Sequence, residues 1–119
     1  MANEIQVSTS LNVTKSGATS AGSRTESITM AGDQHISNVQ SVGTSWEAIQ
    51  VGDVSTIGYV YARNQDSTNY VELALANDGS QVFAKLIAGN ACCFPASTAT
   101  MYAKANTAAC NVHFVISEL

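Results

Sequence analysis

The chain has 119 residues, a net charge of −4 and 45% apolar residues, a composition that fits one folded domain and argues against a disordered segment. Its five basic residues (Lys15, Arg24, Arg63, Lys85, Lys104) stand singly, which argues against a stripe that tracks phosphates and so against nucleic-acid binding. No apolar run approaches membrane-spanning length, and Met1-Ala2-Asn3-Glu4 does not begin a positive-then-apolar secretory signal, so neither a membrane role nor export is expected.

In chain order, Ile5, Val7, Thr9, Leu11 and Val13 alternate with Gln6, Ser8, Ser10, Asn12 and Thr14. A period of two kept over ten residues predicts a strand, with a polar face of hydroxyls and amides rather than charges. Residues 15–23 read as a loop with Gly17 and Gly22 as breakers. Residues 24–30 alternate again, and Ala31-Gly32-Asp33 reads as a turn. Two short strands are expected at residues 36–42 and 46–51, on either side of Gly43-Thr44-Ser45. In the first, Ile36, Val39 and Val42 fall at helical spacing, but Ser, Asn and Val are weak helix formers, so strand is preferred.

After a turn at Gly52-Asp53, residues 58–86 predict three consecutive antiparallel strands, a meander. The turn-forming stretches Asn64-Gln65-Asp66-Ser67-Thr68-Asn69 and Asn77-Asp78-Gly79 separate them. Ala91-Cys92-Cys93-Phe94 follows, ended by Pro95, which has no donor for a ladder. Met101-Tyr102-Ala103-Lys104 is a short strand. The last run places Cys110, Val112, Phe114 and Ile116 inward and Asn111, His113, Val115 and Ser117 outward. Nine or ten strands with no helix predict an all-β, single-domain antiparallel β-sandwich over residues 1–119, with a jelly roll as its form.

Residues for chemistry are sparse. An odd number of cysteines (Cys92, Cys93, Cys110) without a secretory signal fits reduced thiols made in a cytoplasm, and adjacent Cys92 and Cys93 face opposite sides of a strand. Asp33 beside His35 resembles a base pair, but Gly32 makes the aspartate a turn former. His113 reads as a sheet-face residue. Asn64, Asp66, Asn69, Asn77 and Asp78 lack the spacing of a calcium loop. Arg63 is within reach of Asp66 and Glu72 for a local ion pair. No nucleophile is paired with a base, so neither enzymatic activity nor a cofactor or metal is expected.

Serine and threonine number 14 and 11, against 12% charged residues. Hydroxyls and amides cost far less to dehydrate than Lys or Glu, so this surface suits contact with copies of the chain or with a partner. The aromatic residues Trp46, Tyr59, Tyr61, Tyr70 and Tyr102 serve packing, or alternatively stack on sugar rings.

Several stretches together resemble small virion proteins of tailed bacteriophages, of the capsid cement or decoration type. These are Gly52-Asp53-Val54, Gly58-Tyr59-Val60, Arg63-Asn64 with Asp66, Thr68-Asn69-Tyr70-Val71-Glu72 and Ala103-Lys104-Ala105-Asn106-Thr107-Ala108-Ala109. The resemblance implies a β-sandwich, often a jelly roll, that binds the major capsid protein on the outer surface of the virion. It further implies a homo-oligomer, a trimer by analogy with the class, that stabilises the shell after the genome is packaged. The expected interface residues are Gln6, Ser8, Ser10 and Asn12 of the first strand, with Arg24 and Asp66 in exposed loops. The alternative is a phage-borne glycan-binding or host-attachment module, on head or tail, using Trp46, Tyr59 and Tyr61.

Overall fold

The computed structural model describes residues 4–96 and 100–118. The chain divides into two compact units, Met1–Ala31 and Gly32–Leu119. All regular structure among the described residues is β, and no helix there is long and apolar enough to cross a membrane.

The first unit is a hairpin of β1 (Ile5–Lys15) and β2 (Ala18–Ile28), antiparallel and in continuous register from Ile5 opposite Ile28 to Lys15 opposite Ala18. The loop expected at residues 15–23 is therefore only the two-residue turn Ser16-Gly17. Both turn residues have positive φ, 54° and 81°, the combination whose twist matches that of paired strands. Gly22 interrupts nothing, because a Cβ there would meet no atom within 4 Å and its φ is not left-handed. Ser16 occupies a conformation that costs a β-carbon energy and that Asn tolerates better. Ser16→Asn should therefore stabilise the hairpin by about 0.5 kcal/mol. The check is slower hydrogen exchange at hairpin amides, with exchange in the second unit unchanged.

The second unit contains β3 (His35–Val42), β4 (Glu47–Ala48), β5 (Ile57–Asn64), β6 (Val71–Ala74), β7 (Val82–Leu86), β8 (Ala91–Pro95), β9 (Tyr102–Ala105) and β10 (Cys110–Glu118). They form two four-stranded sheets, in the orders β3-β10-β5-β8 and β4-β9-β6-β7. Every pairing is antiparallel. Followed outward from the β6–β7 hairpin, the chain pairs as one long ribbon: β6 with β7, β5 with β8, β4 with β9, β3 with β10. Successive rungs of that ribbon fall in opposite sheets. Two further pairings, β5 with β10 and β6 with β9, complete the sheets.

The core lies between the sheets. Val42, Val60, Ala62, Val112, Phe114 and Ile116 come from one, and Val71, Leu73, Ala103 and Ala105 from the other. The alternation read in the last strand holds, with Cys110, Val112, Phe114 and Ile116 all buried. In β3 the period of two also prevails: Val42 is buried and Val39 is 54% exposed.

The expected meander does not form. β5 and β6 belong to different sheets, and residues 65–70 carry the chain from one to the other. Only the second hairpin of that stretch, β6–β7, is as expected, with Gly79 at φ 78°. The predicted strand at residues 46–51 shrinks to Glu47–Ala48.

Candidate interaction surface

β1 and β2 leave both faces of their hairpin open over most of its length, and every residue from 8 to 25 is exposed. An isolated two-stranded hairpin is marginally stable in water, so an arm of this kind is usually held by something else.

One face carries Gln6, Ser8, Ser10, Asn12 and Thr14 from β1, opposite Ser27, Thr25, Ser23, Ala21 and Thr19 from β2. It bears no charge. Cross-strand hydrogen bonds join register partners along it: Ser27 Oγ donates to Gln6 Oε1 at 2.8 Å, and the hydroxyls of Ser8 and Thr25 (3.3 Å) and of Thr14 and Thr19 (3.1 Å) bond each other. Thr14 Oγ1 also lies 3.5 Å from Asn12 Oδ1. Such rungs each contribute a few tenths of a kcal/mol up to about 1, which steadies a face that has no core behind it. The structure thus gathers four of the six expected interface residues, Gln6, Ser8, Ser10 and Asn12, on one surface.

Arg24 lies on the other face, where its Nε is 3.3 Å from Glu26 Oε2, an exposed pair that contributes at most about 1 kcal/mol. That face also holds Leu11, 70% exposed, and Val13, 53% exposed. The alternation read in β1 places Ile5, Val7, Thr9, Leu11 and Val13 on one face, of which only Ile5 and Val7 are buried.

Asp66 belongs to the second unit and serves a turn. Its Oδ2 accepts the amides of Thr68 (2.9 Å) and Asn69 (2.6 Å), and these two bonds, Asn69 foremost, hold its carboxyl below the usual aspartate range. With the carboxylate so engaged, Arg63 forms no ion pair with it or with Glu72 and stands on β5 opposite His113.

The three aromatic residues of the glycan-binding alternative, Tyr59, Tyr61 and Trp46, divide between the two sheets. Tyr59 and Tyr61 lie on the outer face of the β3-β10-β5-β8 sheet, where Tyr61 meets the ring of His113 edge-on at 5.7 Å. His113 also bonds Ser37 Oγ through Nε2 at 2.9 Å, as a sheet-face histidine should. Trp46 precedes β4 in the other sheet, with Lys104 Nζ 5.8 Å from its ring centroid and Gly79 so close that a Cβ there would approach Nε1 to 2.8 Å.

The sequence reading did not foresee the burial of three polar side chains, Gln40, Asn64 and Glu118, each of which ties loops to a strand. Gln40 donates to Glu47 Oε1 and to the Ala48 carbonyl, both at 3.0 Å, and accepts the Gln50 amide, joining edge strands β3 and β4 of the two sheets. Asn64 donates to the carbonyls of Asn69 (2.9 Å) and Leu86 (3.0 Å) and accepts the Asp66 amide. Glu118 accepts the amides of Asp33 and Gln34 at Oε1 and the amide and hydroxyl of Ser55 at Oε2, between 3.0 and 3.4 Å. A Cβ at Gly32 would overlap this carboxylate, which is why the chain needs glycine there. Alternation was the available signal, because Gln40, Asn64 and Glu118 all continue the inward-facing series of their strands.

The Ser55 amide is the main cause of a Glu118 carboxyl held below the usual glutamate range, with burial opposing it. A carboxyl whose folded value is depressed adds stability that is complete above the unfolded value and fades as pH falls through the folded one. Unfolding free energy should therefore stay level from neutral pH down to about 5 and decline below it. In Glu118→Gln that acid decline should shrink but persist, because Asp66 and Asp78 are depressed in the same direction. Chemical denaturation at several pH values measures it.

Cys92 points inward and Cys93 outward, and all three cysteines are free. Burial raises each thiol above its usual range. Among the described residues no group of three or more His, Cys, Asp or Glu side chains is placed to hold a metal ion. Comparison with known protein families, with curated proteins and with solved structures gives no match to this chain.

Proposed function

We propose that this chain is a structural virion protein of the capsid cement type, a homo-oligomer that binds the major capsid protein on the outside of a phage shell and acts without enzymatic chemistry. The observation that carries this reading is the β1–β2 arm, a long hairpin with one uncharged, hydrogen-bonding face. Shell proteins are held by many repeated contacts, and Ser, Thr, Asn and Gln enter such contacts without the dehydration cost of Lys or Glu. The order of the second unit's strands supports the jelly-roll form expected of this class: an antiparallel ribbon of eight strands rolled into two sheets is how a jelly roll is built.

The test uses capsids assembled from the major capsid protein of the same phage. The full chain should co-sediment with them, whereas a chain lacking residues 1–31 should not. That truncated chain retains every member of the sandwich core, so it tests the arm and not the fold. In the full chain, Ser10→Glu with Asn12→Glu should weaken binding by about tenfold or more, by placing two charges in the contact. Undiminished binding by the truncated chain would sink this reading.

A further inference from the structure

The second face of the arm is a pattern of projection and recess. Leu11 and Val13, the exposed apolar pair on β1, lie directly opposite Gly22 and Ser20 on β2, with Ala18 next along that strand on the same face. Two protruding apolar side chains therefore stand beside a strip of small ones, bounded by Lys15 at one end and Arg24 at the other.

The accessible surface leaves room for a subunit contact. A folded monomer of 12.4 kDa exposes about 6,100 Å². This chain exposes 7003 Å². The surplus, about 900 Å², is close to the roughly 800 Å² that each partner buries in a standard subunit interface.

We propose that two copies of this chain pair through their arms, Leu11 and Val13 of each seated on Ala18, Ser20 and Gly22 of the other. A surface that bears both the projection and its recess is complementary to itself, the requirement for a two-fold contact between identical subunits. An unrelated partner would have to supply the recess, whereas a second copy brings it on the same pair of strands. The pairing leaves the uncharged face, with Gln6, Ser8, Ser10 and Asn12, open to a different partner. It deepens the homo-oligomer part of the proposed function and replaces a three-fold arrangement with a two-fold one. It holds whether or not that partner is a capsid.

The experiment is the molar mass of the purified full-length chain, by sedimentation equilibrium over the micromolar range. The native sequence should give two chains. Leu11→Ser with Val13→Ser removes the projections, and Gly22→Asp fills the recess with a charge. Each should weaken pairing by about a hundredfold and give a single chain at the same concentrations. Both changes are at exposed positions, and the Gly22 site has open space and an ordinary φ, so the circular dichroism spectrum should be unchanged. A native mass of one or three chains would overturn the pairing, and so would either variant if it paired like the native chain. The two readings fail separately: a paired chain that ignores capsids defeats only the cement function, and a single chain that coats them defeats only the pairing.

Discussion

Phe114→Ala is expected to lower the unfolding free energy by about 3–5 kcal/mol and the Tm by roughly 10–20 °C. Phe114 leads the fully buried side chains in volume and lies on β10, a central strand bonded to β3 and β5. Its register neighbours are Asn38 and Ala62. The methyl group of Ala62 is too small to expand into the space left by a benzyl group. Asn38 brings a polar side chain whose Oδ1 is already buried without a partner. The cavity therefore stays open, and the full cost of lost contacts and empty volume is felt. Against a total stability of about 5–15 kcal/mol, such a loss is a large share. Urea unfolding monitored at Trp46 measures it. Val115→Ala, one residue along the same strand but 36% exposed, is the control and should cost well under about 1 kcal/mol.

Asn64→Ala should cost about 3 kcal/mol, by a different mechanism. The Asn64 side chain is fully buried and bonds three backbone groups: the carbonyls of Asn69 and Leu86 and the amide of Asp66. Replacing it strands buried or half-buried backbone groups that water does not easily reach, and each costs more than the bond it lost had contributed. The loss also has a direction in the structure. Asn64 stands at the end of β5, where the chain leaves one sheet for the other, and it fastens that crossing to the end of β7. Hydrogen exchange should therefore quicken first at the amides of Thr68 and Asn69, which Asp66 holds, before global unfolding. If Asn64→Ala unfolds at the native denaturant concentration, the crossing is held by other contacts.

Much of this architecture was legible in the residues. The strict alternation in β1 and β10 assigned side chains to faces, because a strand turns successive side chains to opposite sides whatever it is paired with. The inward series Cys110, Val112, Phe114, Ile116 and the outward position of His113 needed nothing else. Gly79 marked its turn, since only a residue without a Cβ takes positive φ at little cost. The four polar residues of β1 were identified as a surface from the same alternation, and the hairpin register then aligned them with a second row of hydroxyls on β2.

Partnership was not legible. The run from Tyr59 to Leu86 has the local signals of a meander, yet β5 and β6 separate into different sheets. A turn-rich stretch of six residues makes a hairpin loop or a crossing equally well, and here it crosses, with the buried amide of Asn64 bonded to Asn69, Leu86 and Asp66. Residues 18–23 looked like a loop because Ser, Ala and Gly carry little strand preference; pairing with β1 overrides that. Asn64, Gln40 and Glu118 looked like ordinary polar residues until the chain brought distant backbone groups to meet them. Alternation is a property of one strand and is written in its own residues. The choice of neighbour is made by hydrogen bonds and packing between segments far apart in sequence, so only the folded molecule decides it.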